Sequence, residues 1–126
     1  MKINQVYKCS ICGNIVELTH VGNGTLVCCG QPMELQEEKS SDEGVEKHLP
    51  VAKFEDGILK VNIGSVDHPM IAEHYIEWIE CIVDGDVQRV YLAPEEKPYA
   101  QFSVEEGKDI TVRAYCNVHG LWSVTL

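Results

Sequence analysis

The sequence contains no apolar run approaching the roughly 18 residues that a membrane-crossing helix requires. It is also poor in basic residues. Lys and Arg number 10 against 20 Asp and Glu, a formal charge of −10, so most of the surface would repel a phosphate backbone. With no Lys/Arg stripe either, nucleic acid is not an expected partner. Residues Met1 to Tyr7 include neither an apolar segment nor a small-residue cleavage site, which leads to the expectation of a cytoplasmic protein that makes no membrane contact. No stretch holds a 3.6-residue period long enough for a long helix, and there is no internal repeat or low-complexity tract. At 126 residues the chain has room for one ordinary domain, or for a domain with a small satellite held by something other than a large core. The hydrophobic share of 44% and charged share of 24% fit a globular chain and exclude a disordered one.

Cysteine is plentiful. Six cysteines in a reducing compartment point to metal ligands or reactive thiols before disulfides. Cys9, Cys12, Cys28 and Cys29 crowd the first part of the chain, whereas Cys81 and Cys116 stand apart. Two short apolar runs, Ile15 to Leu18 and Leu26 to Val27, flank the turn-forming residues 21–25, and the spacing predicts a hairpin between them. A unit of residues 1–37 is too small to be held by apolar burial alone and needs a staple such as a metal. Residues 36–44 are polar, charged and free of aromatics, which marks an exposed linker and places the boundary between units at 37/38.

The remainder, 38–126, reads as short strands punctuated by turns, so the fold class is all-β, with a sandwich favoured. Leu59, Val61 and Ile63 alternate with Lys60 and Asn62 as in a half-buried strand. Tyr75 to Val83 is apolar on both faces, as in a central strand, and Asp84-Gly85-Asp86 turns it into Val87 to Leu92. Phe102 and Val104 begin a further strand before a turn at residues 106–109. Pro69 to Glu73 suits a single helical turn.

Two constellations carry chemistry. Cys9-x2-Cys12-Gly13 and Cys28-Cys29-Gly30, with 15 residues between Cys12 and Cys28, have the spacing of two metal knuckles; four thiolates select tetrahedral zinc or iron, and spacing does not decide between them. Glycine after each pair fits a tight loop whose N–H groups turn toward sulfur. The adjacent pair Cys28-Cys29 lacks the relaxed bite of a two-residue spacer, so a distorted tetrahedron is expected. The second constellation is His48, His68, His74, Cys116 and His119. Each histidine taken singly reads as a surface residue, but all sit near strand ends or loops where side chains can converge. In the strand Ile110 to Cys116, alternation puts Ile110, Val112, Ala114 and Cys116 on one apolar face. A thiolate there needs a strong partner such as a metal, and the opposite coordination position would face water. His20 reads as a surface residue, and Cys81 as a small buried hydrophobe.

Six motifs follow in order: Lys8-Cys9-x2-Cys12-Gly13-Asn14, Cys28-Cys29-Gly30-Gln31-Pro32-Met33, Glu46-Lys47-His48-x-Pro50, His68-Pro69-Met70, His74-x-Ile76-x-Trp78-Ile79 and Cys116-Asn117-x-His119-Gly120-x-Trp122. Over essentially its whole length the chain resembles desulfoferrodoxin, the two-iron superoxide reductase family. The resemblance implies a desulforedoxin-like domain holding Fe(Cys)4, followed by an immunoglobulin-like β-sandwich holding Fe(His)4Cys. It makes His48, His68, His74 and His119 equatorial ligands, Cys116 the axial ligand, and Glu46 and Lys47 the residues overlooking the vacant position. It further implies one-electron reduction of superoxide to hydrogen peroxide in a homodimer fed by rubredoxin. A non-catalytic iron-binding electron-transfer protein is the alternative.

Overall fold

A computed structural model of the chain describes residues 1–41 and 44–126; Asp42 and Glu43 of the expected linker lie outside the described residues. The chain divides into two compact units, Met1–Glu37 and Glu38–Leu126.

In the first unit, β1 (Val6–Lys8) is flanked by β2 (Ile15–Glu17) and β5 (Glu34–Leu35), and β3 (Val27–Cys28) pairs with β4 (Gln31–Pro32). The expected hairpin between residues 15–18 and 26–27 is not formed. β2 instead runs antiparallel to β1, with Tyr7 opposite Val16, and Val27 lies opposite Pro32. Each pairing closes over one pair of cysteines, so the two knuckles set the partners in place of the Gly-rich segment at 21–25. Burial is slight here: Val6 and Cys9 are the apolar side chains of this unit that reach full burial among the described residues.

The second unit begins with one helical turn, α1 (Val45–His48), and continues through β6 (Pro50–Glu55), β7 (Ile58–Ile63), β8 (Ile76–Val83), β9 (Asp86–Tyr91), β10 (Tyr99–Ser103), β11 (Ile110–Cys116) and β12 (Gly120–Thr125). The strands form an antiparallel sheet in the order β10-β7-β6 and another in the order β12-β11-β8-β9. Alternation decides what lies between the sheets. Leu59, Val61 and Ile63 from β7 meet Ala100 and Phe102 from β10 on one side. Ile79 and Cys81 from β8 meet Ile110, Val112, Ala114 and Cys116 from β11 on the other. Each large apolar side chain buried this way stabilises the fold by about 1.5–3 kcal/mol. Cys81 and Cys116 both have zero exposure.

On the other face of β8, the buried carboxylate of Glu80 receives Arg89 Nε at 2.8 Å on one oxygen and Arg113 through two contacts at 2.7 and 3.1 Å on the other. The three strands are thereby tied across β9-β8-β11. The helical turn expected at residues 69–73 is absent: Ile71 and His74 close a tight turn with reciprocal backbone hydrogen bonds of 3.1 Å. The helical turn lies at Val45–His48 instead, entered through Gly44 at φ 84°, a conformation open to glycine. No described helix is long and apolar enough to cross a membrane.

Candidate metal centres

Cys9, Cys12, Cys28 and Cys29 bring their sulfurs within 4.8 Å of one another. The Cys12–Cys28 and Cys28–Cys29 Sγ separations are 3.6 and 3.9 Å. A tetrahedron with metal–sulfur bonds of about 2.3 Å has edges of about 3.8 Å, so the donor set already has the size of a tetrathiolate centre. Backbone amides serve the sulfurs: Cys12 N–H points at Cys9 Sγ and Asn14 N–H at Cys12 Sγ, both at 3.5 Å. Gly13, between those two amides, takes φ 83°, and Gly30, after the second pair, takes φ 80°. The adjacent cysteines cost backbone strain, since Cys29 itself is left-handed at φ 54°, a region unfavourable to side chains. Without a cation the sulfurs cannot share negative charge. The Cys12 amide holds the Cys9 thiol down at about 6, while the neighbouring sulfurs of Cys12 and Cys28 push Cys29 up to about 12.

The second group assembles from four segments. α1 delivers His48, the loop after β7 delivers His68, the turn before β8 delivers His74, and the end of β11 delivers Cys116. Their donor atoms lie within 4.8 Å of one another. His119 completes the circle: its Nδ1 is 3.1 Å from His48 Nε2 and 3.9 Å from Cys116 Sγ. Taken in the order 48, 68, 74, 119 and back to 48, successive ring centroids are 4.7, 4.7, 5.0 and 4.8 Å apart, and the 48–74 diagonal is 6.3 Å. Four imidazoles thus stand as the corners of a near-square, each turned edge-on to the next.

The tautomers follow from the outer contacts. His48 Nδ1 lies 2.8 Å from Gly44 O and His68 Nδ1 2.7 Å from Pro69 O, so those nitrogens donate and their Nε2 lone pairs face inward. His68 Nε2 and His74 Nε2 are buried with no hydrogen-bond partner. Buried polar atoms left unpaired cost about 1–3 kcal/mol each, a cost that a cation accepting those lone pairs would remove. Burial also disfavours the charged form of three of the rings, with His68 lowered to about 4 and His48 and His74 shifted the same way. The Cys116 thiol is pushed up by burial, opposed by the N–H of His119 at 3.3 Å. These donors fit a metal with imidazole and thiolate preference, as iron has.

Glu46 and Lys47 are exposed beside this group. Lys47 is near enough to disfavour a charge on His74. Their backbone is clamped from the loop after β7: Val66 N–H and Ser65 Oγ–H donate to Glu46 O at 3.0 and 3.2 Å. A Cβ on Gly64 would fall 2.5 Å from Glu46 O, so only glycine allows that approach. Sequence reasoning did not identify the supporting shell. Trp122 stacks on His48 at 4.7 Å and 16°, and its Nε1–H donates to His119 O at 3.3 Å. Lys39, read as linker, donates to the same carbonyl at 3.2 Å. A polar residue in a linker carries no signal for such a contact. Cys81 and the exposed His20 join neither group.

Comparison with known proteins gives the same picture. The Desulfoferrodoxin family matches residues 40–125, and the Desulfoferrodoxin N-terminal domain matches residues 2–36. A desulfoferrodoxin homolog of Archaeoglobus fulgidus is 56% identical over 121 residues, covering 96% of each chain. A superoxide reductase of Pyrococcus abyssi is 34% identical over 102 residues, covering 67% of this chain and 89% of its own. The crystal structure of the superoxide reductase from Treponema pallidum superposes with a TM-score of 0.76 at 24% identity, over 95% of this chain and 96% of that one, a likeness of fold. With donor sets for two iron centres, one of four cysteines and one of histidines and a cysteine, on an all-β framework matched along nearly its whole length, this chain belongs to the desulfoferrodoxin family.

Proposed function

We propose that the chain is a superoxide reductase, in which superoxide, one electron and two protons become hydrogen peroxide with no dioxygen released. The observation that carries this reading is the near-square of imidazoles over a buried thiol, with two orphaned Nε2 atoms aimed inward and an exposed rim at His119, Glu46 and Lys47. In this reading Cys9, Cys12, Cys28 and Cys29 hold the first iron, in a domain of residues 1–37. His48, His68, His74, His119 and Cys116 hold the second, in residues 38–126. When bound, the second iron supplies the electron to superoxide.

The chain's own residues do the rest. Neutral imidazoles with a single thiolate leave a divalent cation with net positive charge, which an anionic substrate needs on a protein of charge −10. Lys47 adds its ammonium and draws superoxide in. Cys116, buried in the core, would hold the metal through its sulfur, and a thiolate there would raise the electron density of the iron it holds. Glu46, exposed beside the histidines, would supply a carboxylate to the site once the product has left. A rubredoxin-type protein supplies the electrons, and the six free thiols suit a reducing cytoplasm. A homodimer is part of this reading.

Pulse radiolysis of the iron-loaded protein tests the reaction. One hydrogen peroxide per superoxide consumed, with no dioxygen evolved, is the expected result. Half a peroxide per superoxide together with dioxygen would mean dismutation, and no fast reaction would mean a closed electron-transfer site; either overturns the proposal.

A further inference from the structure

Beyond the donors themselves, one residue of the Cys116-Asn117-x-His119 motif has no part in the function described so far. β11 and β8 pair regularly from Ile110 opposite Val83 up to Tyr115 opposite Trp78. The register then shifts, leaving Cys116 opposite Ile76. Regular ladder bonding ends at the point where the donor-bearing segments begin, so something else must fix residues 73–75 against 116–119. Asn117 makes three hydrogen bonds across that gap. Its Oδ1 accepts Tyr75 N–H at 2.9 Å, its Nδ2 donates to Glu73 O at 3.1 Å, and its own backbone N–H donates to Tyr75 O at 3.2 Å.

A side-chain amide is a peptide group in miniature, with one acceptor and donors at fixed separation. Here it adds a rung to the sheet beyond the irregularity and grips the backbone on both sides of His74. An alanine offers neither group, and an aspartate offers only the acceptor while setting a second oxygen against Glu73 O.

We propose that Asn117 is the positioning residue that sets His74 against Cys116 and His119. This rests on the reading that those three residues bind the second iron. Asn117 is not one of the donors; both ends of its amide are taken by backbone. Its effect passes through where His74 Nε2 stands relative to Cys116 Sγ. Groups that orient ligands in this way typically change metal affinity by roughly ten- to a hundredfold when removed.

The test uses the full iron-loaded chain with Asn117→Ala and Asn117→Asp. Three quantities are measured: iron retention at the second site against a competing chelator, the position of the sulfur-to-iron charge-transfer absorption after oxidation, and the thermal midpoint of the metal-free chain. Asn117→Ala is expected to lose iron retention by roughly ten- to a hundredfold and to shift the absorption, with the metal-free midpoint close to wild type. Asn117→Asp, which keeps the Tyr75 bond, should recover part of both losses. Unchanged retention and absorption in Asn117→Ala would overturn the proposal. A lowered metal-free midpoint with the absorption at its wild-type position would overturn it too, since the role would then be stability alone. Should Asn117→Ala fail to fold, the same readouts on Asn117→Asp decide. Absence of the absorption from the wild type itself would instead refute the reading of the second site on which the inference stands.

Discussion

The two units solve the same problem, holding a metal among cysteine or histidine side chains, in opposite ways. The first has short strands of two or three residues and very little burial, so its sulfurs are the main thing that could hold it together. The second has a continuous apolar core between two sheets, of which Cys116 is itself a member, and brings its histidines to that sulfur from α1 and the adjoining loops. In the first a metal would make the fold, and in the second the fold makes the donor set.

The sharpest way to break that contrast is to remove one buried sulfur. Cys9→Ser should abolish the tetrathiolate centre and, because structural metal binding of this kind contributes about 10–16 kcal/mol, unfold the first unit. The sandwich should keep its own iron. Heteronuclear NMR would show amide dispersion lost for residues 1–37 and kept for the remainder; retained dispersion throughout would show that the first unit is not stapled by its metal.

The reverse experiment strikes the sandwich. Glu80→Ala takes from the Arg113 guanidinium, 2% exposed, its contacts of 2.7 and 3.1 Å to a buried carboxylate and leaves the longer 3.9 Å approach of Glu38. Breaking a buried pair on one side costs about 3–5 kcal/mol. Denaturant unfolding should register this loss in the sandwich while the visible spectrum of the tetrathiolate centre stays unchanged. A cost below about 1 kcal/mol would put the pair in the class of exposed ion pairs.

How much of this contrast was legible in the sequence depended on the period of the signal. Strand alternation at Ile110, Val112, Ala114 and Cys116 announces an inward thiol, because a period of two leaves no other face for it. The first unit was harder to read. Its turn-rich segment at 21–25 suggested a hairpin, but the constraint of gathering sulfurs outweighed local turn preference and paired each strand across its own knuckle. The four-residue α1 could not be seen, since a single turn shows no periodicity. Asn117 was visible as a motif letter; its role depends on Glu73 and Tyr75, more than 40 positions away, which spacing does not reveal.

A smaller effect would set the histidine site, as proposed, apart from the cysteine one. Lys47→Ala should slow the second-order reaction with superoxide by roughly tenfold, about 1.4 kcal/mol in the encounter barrier, and flatten its dependence on ionic strength. Equal rates and equal salt slopes for wild type and variant, measured by pulse radiolysis, would reduce Lys47 to an ordinary surface charge.

The brevity of α1 has a further consequence, in the time domain. A helix of one turn does not persist alone, and this one is held through the His48 ring and the bonds from Val66 and Ser65 to Glu46 O. Its amides are therefore expected to exchange with deuterium through a local opening that need not involve the sheets, drawn from the low end of the stability range within the fold. A metal held by His48 would tie it down and should slow exchange at His48, Leu49 and Val66 together, by a common factor, while the β11 amides deep in the sandwich change little. The segment that carries Glu46 and Lys47 would then have its opening rate governed by metal occupancy. Exchange at those three amides that is unmoved by iron, followed residue by residue, would show that the turn is held by its loop contacts alone.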